Sequence, residues 1–147
     1  MNRRPVDLSY EQSLELLKRG DLGRVAVCTP SGPRIFPVNY TVVEDSVVFR
    51  TAPYTVLGTY AGGSRLSIEV DEVDRERRVG WSVVATGRGT VVDDRDEIAA
   101  IRTSGEPSPW AGGSRLLYLR LHWDELTGRG IGDAAWTSSR SETSRVP

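Results

Sequence analysis

The stretch Arg34-Ile35-Phe36-Pro37-Val38-Asn39-Tyr40-Thr41-Val42, followed by Ser46-Val47-Val48-Phe49-Arg50-Thr51-Ala52-Pro53-Tyr54-Thr55, decides how this chain reads. Its two halves are rich in β-branched and aromatic residues, and Glu44-Asp45 between them is a turn pair. Two strands joined this closely run antiparallel, because a parallel pair needs a crossover of about a dozen residues or more. The second strand ends in Arg50-Thr51, a guanidinium and a hydroxyl placed where the chain turns. The first offers backbone groups and an amide side chain near Asn39. A strand end of that kind can hold a phosphate while the neighbouring edge reads a flat ring.

Working outward, Pro30-Ser31-Gly32-Pro33 is a turn, and it predicts a strand before it from Val25 to Cys28. A helix precedes that strand. Ser9 and Gln12 have the capping-box spacing, Leu14 and Leu17 share a face flanked by Leu16, and Gly20 ends the helix. On the other side, Pro53 suits a first helical turn, so a brief helix is expected through Tyr60. Leu66, Ile68 and Val70 alternate with Ser67, Glu69 and Asp71, the pattern of a half-buried strand. Asp74 to Arg78 reads as a solvated hairpin tip. A long strand covers Gly80 to Val92, with Trp81, Val83 and Ala85 facing one way and Ser82, Val84 and Thr86 the other. Gly87 and Gly89 within it mark a bulge or a close approach.

Asp93 or Asp94 caps a helix to about Thr103, and Gly105 to Gly113 is a loop. A last strand is expected from Leu116 to Trp123, with Gly128-Arg129-Gly130-Ile131-Gly132 as a flexible exit. That glycine run lacks the following helix a dinucleotide fingerprint requires. Ala-Gly-Gly-Ser-Arg-Leu occurs at Ala61 to Leu66 and again at Ala111 to Leu116, but the flanks do not match, so it is no structural repeat. Asp133 to Pro147 has little to bury and reads as a flexible tail. The expected fold is therefore mainly β: a six-stranded antiparallel barrel over residues 1–132, closed so that its edges are covered.

With 147 residues the chain suits one domain. A formal net charge of −1 argues against a nucleic-acid partner, which needs a basic excess. One cysteine and one histidine leave no disulfide and no zinc cluster, so no metal is expected. No apolar run is long enough for a membrane span, and Met1 to Pro5 is followed by no secretory core. A soluble cytoplasmic protein is the expectation. Cys28 is expected to pack as a small hydrophobe and His122 to be an ordinary strand residue.

Arg50, Thr51 and Thr55, with the helix start near Val56, form the best phosphate candidate; spacing alone leaves open a plain surface arginine. Trp81 beside Ser82 could pack on a ring system, but on composition alone ordinary core is the safer reading of Trp81. No acid or base stands out, and no catalytic residue is assigned.

The chain resembles the pyridoxamine 5′-phosphate oxidase-like, FMN-binding split β-barrel family. The residues that carry the likeness are Leu22-Gly23-Arg24-Val25-Ala26, Pro37-Val38-Asn39, Phe49-Arg50-Thr51-Ala52, Glu69-Val70-Asp71 and Gly80-Trp81-Ser82-Val83. The resemblance implies an FMN-dependent oxidoreductase, a homodimer with flavin at the subunit interface, and a small-molecule substrate with NAD(P)H as a candidate donor. It implies that Pro37, Val38, Asn39 and Tyr40 lie along the ring and that Arg50, Thr51 and Thr55 meet the phosphate. Ser82 and Trp81 would approach from a neighbouring strand or the partner. The family's turn lysine is replaced here by Val56, which opens two alternatives: the deazaflavin F420, served by Arg50, Arg65 and Arg88, or a non-enzymatic flavin- or haem-binding module.

Overall fold

A computed structural model describes residues 4–105, 107 and 117–132. The tail from Asp133 and most of the loop after Gly105 lie outside the described residues. The elements are β1 (Val6–Asp7), α1 (Tyr10–Arg19), β2 (Leu22–Thr29), β3 (Gly32–Val43), β4 (Ser46–Thr51), α2 (Val56–Tyr60), β5 (Arg65–Asp74), β6 (Val79–Val92), α3 (Arg95–Gly105) and β7 (Leu117–Ile131). Six strands form a ring in the order β7-β4-β3-β2-β5-β6, closed by β6 on β7, with β1 added outside β7. Every pairing is antiparallel. The expected barrel is what the chain forms. No helix among the described residues is long and apolar enough to cross a membrane.

Alternation along the strands sorts side chains into an inner and an outer set. Val25, Val27, Val38, Tyr40, Val47, Phe49, Leu66, Ile68, Val70, Trp81, Val83 and Leu119 fill the barrel. Val48, Val92, Ile101 and Tyr118 form a second cluster, where α3 covers the outside of the sheet. No helix of eight or more residues lies over the outer side of β2 and β5 among the described residues, and Arg24, Glu69 and Asp71 stand there.

The capping box on α1 is complete: the Gln12 N–H donates to Ser9 Oγ, and the Ser9 N–H to Gln12 Oε1 at 2.9 Å. The inward face is Ser13, Leu16 and Leu17, with Leu14 only partly buried, so Leu16 is core rather than a flank. Gly20 caps the helix with φ −80°, a conformation open to any residue. Its reason lies elsewhere. A Cβ at position 20 would overlap the Tyr40 hydroxyl and stand 2.9 Å from Val70 Cγ1. That hydroxyl donates to the Leu17 carbonyl at 2.6 Å, tying α1 to β3.

Several expectations change. Pro53 precedes α2, which starts at Val56 behind a Thr55 cap. Cys28 is exposed, because its position in β2 is an outward one. The glycine run at 128–132 is no loose exit: β7 continues to Ile131, pairing Val83 with Gly128 and Gly80 with Ile131. Glycine is needed there because Ser13 Oγ and Leu8 lie where a Cβ at 128 would go. Gly87 stands opposite a bulge: Thr86 pairs with Glu125 and Gly87 with Trp123, leaving Asp124 of β7 as the extra residue, and the His122 carbonyl fills the space of the missing side chain of Gly87.

The strand stagger decides where site residues fall. Arg50 pairs with Tyr118 on β7. Around the other side of the ring, Asn39 pairs with Leu22 and Asp71 with Ser82, and Ser82 meets β7 at Arg129, far along the strand from Tyr118. A six-stranded ring closes only with such a shear, which tilts the strands strongly.

Candidate functional site

β3 changes partner halfway. Gly32 to Asn39 pair with β2, whereas Tyr40 to Val43 pair with β4. Among the described residues no strand lies beside Pro33 to Val38 on the β4 side. The Tyr40 N–H donates to the Asp21 carbonyl and so points toward β2. By alternation, residues 33, 35, 37 and 39 present their main-chain groups toward the other side. Two of those four are proline and have no N–H. Within the open stretch Pro33 to Val38, this edge therefore carries carbonyls at Pro33, Ile35 and Pro37 and an N–H group at Ile35. A strand losing donors at alternate positions forms a poor ladder, but it can hydrogen-bond the rim of a flat heterocycle.

Where this edge begins, β4 ends in Arg50 and Thr51. The two point to opposite faces, as neighbours in a strand must. Arg50 lies outside, its Cζ 5.0 Å from the centre of the Tyr118 ring, a cation–π distance. Thr51 is buried, and its hydroxyl lies 3.2 Å from Thr55 Oγ1. Thr55 Oγ1 also accepts from the Gly58 N–H at 3.0 Å and donates to the Ala52 carbonyl at 2.8 Å. The Thr55 hydroxyl thus serves as the cap of α2. Val56 is exposed beside it.

The remaining expected site residues divide. Pro37 is exposed, Asn39 is half-buried with its amide donating to the Asp21 carbonyl at 3.3 Å, and Val38 and Tyr40 point into the barrel. The Tyr40 N–H is taken by the Asp21 carbonyl and its ring lies in the core; burial and nearby Asp21 push its phenol above the ordinary range. Trp81 is 5% exposed and belongs to the core, yet its Nε1 is buried without a hydrogen-bond partner among the described residues. An unmatched buried N–H costs about 1–3 kcal/mol, so it marks a place where a partner would be gained. Trp81 lines two adjoining clefts. One, of about 410 Å³, includes Arg19, Asp21, Arg24, Pro37 and Asp71. The other, of about 660 Å³, includes Asp71, Arg78, Ser82, Arg129 and Ile131.

One chain therefore brings Pro37 and Trp81 to one cleft and sets Asn39 next to Arg50, but keeps Ser82 far from Arg50. The proposed basic trio also divides. Arg65 is held by Asp124 through two 2.7 Å bonds and faces Arg88, not Arg50, across the sheet.

Sequence reasoning missed two groups. Arg24 Nη1 meets Glu69 at 3.2 Å and Asp71 at 3.3 Å on the open outer face. Burial and the neighbouring Asp71 hold the Glu69 carboxyl above its ordinary range, with Arg24 pulling the other way. Tyr118 with Arg102 is the second, the Arg102 Nε donating to the phenol oxygen at 3.4 Å. Alternation of Tyr118 and Arg120 with Leu119 and Leu121 marks the outer face in the sequence, but only the docking of α3 brings Arg102 there. Among the described residues no cluster of His, Cys, Asp and Glu could hold a metal.

A model of the pyridoxamine 5′-phosphate oxidase family matches residues 9–130. The chain belongs to that family. An uncharacterized protein of Mycobacterium tuberculosis, Rv0080, is 36% identical over 131 residues, covering 86% of this chain and 85% of that one. Among solved structures, the FAD binding protein from Mycobacterium smegmatis superposes with a TM-score of 0.74 at 31% identity, over 86% of this chain and 98% of that one. A FAD and haem binding protein from the same organism shares the fold at 18% identity, with a TM-score of 0.64 over 91% of this chain and 79% of that one.

Proposed function

We propose that this protein binds a flavin nucleotide between two copies of itself and works as an oxidoreductase on a small molecule in the cytoplasm. The observation that carries the reading is the open edge of β3 from Pro33 to Val38, lined with carbonyls and the Ile35 N–H, on the strand that pairs with β4 just before Arg50. A flavin ring presents alternating acceptors and a donor on its pyrimidine rim, which such an edge can match without charged side chains. Arg50 supplies a planar fork for phosphate oxygens. The residues fit the group. A bound flavin would supply two-electron transfer, and the protein would hold, orient and shield it.

The dimer is part of the proposal because one chain leaves the site incomplete. Trp81 shares a cleft with Pro37, but Ser82 and the Arg50 corner are separated by the length of β7. A second copy can bring its Trp81 and Ser82 to the flavin of the first. The open outer face of β3, β2 and β5, with Ile35 and Leu22 exposed, is available for such an approach.

Two flavin nucleotides contain the ring and phosphate this corner suits, FMN and FAD. FAD is favoured by the 31% identical Mycobacterium smegmatis protein, which binds it. The test is a visible spectrum of freshly purified protein, mass spectrometry of any released ligand, and titration with FMN, FAD, F420 and haem. Bound flavin, turning over with NAD(P)H, fits the proposal. Colourless protein that responds to neither FMN nor FAD sinks it. Tighter F420 binding moves the assignment to the deazaflavin, and bound ligand without turnover makes the protein a carrier or sensor.

A further inference from the structure

Where β5, β6 and β7 meet at one end, the outer face of the sheet opens into the cleft of about 660 Å³, a size that suits a small organic ligand. Strand register gives its floor. Val73 pairs with Gly80 and Gly80 with Ile131, so the three stand in one row across the strands. Residues paired in this way share a face of the sheet. Val73 and Ile131 are exposed apolar side chains, and the residue between them has no side chain. A Cβ at Gly80 would stand 2.8 Å from Val73 Cγ1 and from the Glu72 carbonyl oxygen. The row is therefore an apolar notch with bare main chain at its base.

The two ends of the notch differ. Two residues along, Asp71, Ser82 and Arg129 form the next row on the same face. Asp71 is met there by Arg24 at 3.3 Å, and Arg129 by Asp7 at 3.4 Å. At the opposite end, Arg75 and Arg78 of the β5–β6 turn line the cleft, and neither has an ion pair or hydrogen bond among the described residues. Asp74 lies beside them, but its Oδ1 accepts from the Arg77 N–H at 3.0 Å. An apolar floor with positive charge at one end is complementary to a molecule that is apolar along its body and anionic at one end.

We propose that this cleft binds an apolar carboxylate, its body over Gly80 between Val73 and Ile131 and its carboxylate at Arg75 and Arg78, and that such a carboxylate is the class of substrate the protein acts on. The role as substrate rests on the flavin reading above, in which Ser82, at the other end of the floor, is turned to the flavin of the second copy. A ligand lying along the floor then ends beside that ring. The binding site itself rests on the cleft alone.

The experiment is isothermal titration calorimetry of the full-length, flavin-stripped protein with naphthoate and with its neutral counterpart naphthylmethanol. Wild type is expected to bind naphthoate about tenfold more tightly than naphthylmethanol, the equivalent of one charge-assisted contact. Arg75→Gln combined with Arg78→Gln should abolish that preference and leave naphthylmethanol affinity within about twofold of wild type. Val73→Asp, at a position 68% exposed, should weaken naphthoate by about tenfold or more, since it puts a like charge on the floor. Arg95→Gln, which removes an exposed charge on α3, should match wild type. Equal affinity for the two probes in wild type, a preference that survives in the double variant, or a loss as large in Arg95→Gln would overturn the site and leave the flavin reading standing. Repeating the titration with saturating FMN or FAD should leave naphthoate binding in place; one-for-one displacement assigns the cleft to the flavin and overturns the substrate site. Naphthoate bound as expected by protein that takes up neither flavin supports the site and overturns its role in a flavin reaction.

Discussion

The contact between Gly20 and the Tyr40 hydroxyl gives a quantitative test of what Tyr40 does. Gly20→Ala puts a methyl group where that hydroxyl sits. The ring must move, breaking the 2.6 Å bond to the Leu17 carbonyl. Leaving a buried partner unsatisfied costs about 1–3 kcal/mol, and forcing a methyl into a packed site costs about 1–3 kcal/mol. A destabilisation of roughly 2–6 kcal/mol follows from those two contributions. Tyr40→Phe removes the hydroxyl and costs about 1–2 kcal/mol, since the Leu17 carbonyl at the helix end loses its donor.

In the double variant the methyl group enters the space the hydroxyl left. Backbone strain does not intervene, because Gly20 has φ −80°. Replacing glycine also lowers unfolded-state entropy by about 0.4–1 kcal/mol in favour of the fold. The double variant keeps the close contact with Val70 Cγ1 but loses the one with the hydroxyl, so its cost should fall short of the sum of the single costs by more than about 1 kcal/mol. Urea unfolding followed by tryptophan fluorescence measures all four proteins. Costs that add to within about 0.5 kcal/mol would refute the steric account. Tyr40→Phe should also leave flavin affinity within about twofold, since a core phenol contributes less than one hydrogen bond's worth to an outside ligand.

Arg50→Gln should weaken binding of both FMN and FAD by about tenfold or more, the loss of one charge-assisted contact, as read by fluorescence titration. Val56→Lys places a cation on the exposed turn beside Thr55 and should tighten flavin binding, with the gain shrinking as salt is raised. Burial raises the Tyr40 phenol, so the stability it contributes is present below the unfolded phenol's value near pH 10 and is lost as pH rises beyond it. Thermal unfolding between pH 9 and pH 11 should show wild type losing stability faster than Tyr40→Phe. The raised Glu69 carboxyl gives stability below the ordinary carboxylate value that fades with rising pH, so Glu69→Gln should hold or raise Tm at neutral pH and give no gain near pH 4. A lowered Tm at pH 7 would mean that the ion pair with Arg24 outweighs the cost of the two adjacent carboxylates.

What the sequence disclosed was governed by local rules. The capping box of α1, the turn at Glu44-Asp45 and the alternation of β5 and β6 each depend on residues within one or two turns, and each formed as read. The end of β7 did not read as strand because glycines there answer to Ser13 and Leu8, more than a hundred residues earlier in the chain. β1 is two residues long and has no period to detect. The site behaved in the same way. Arg50-Thr51 at a strand end is visible in the sequence, but its separation from Ser82 follows from the stagger of the ring. Arg102 reaches Tyr118 only because α3 docks on the outer face, a tertiary fact with no local signal.

Pro33 and Pro37 on the open side of β3 have a consequence beyond ligand reading. An exposed strand rim recruits foreign strands, and repeated recruitment of that kind builds fibrils. Imino residues at every second outward position cannot donate to an incoming chain, so no continuous ladder can grow there. Replacing both by alanine would restore the donors, and the cost should appear as precipitation in the ligand-free protein. The same two rings that leave room for a small heterocycle keep the molecule from welding itself to its neighbours.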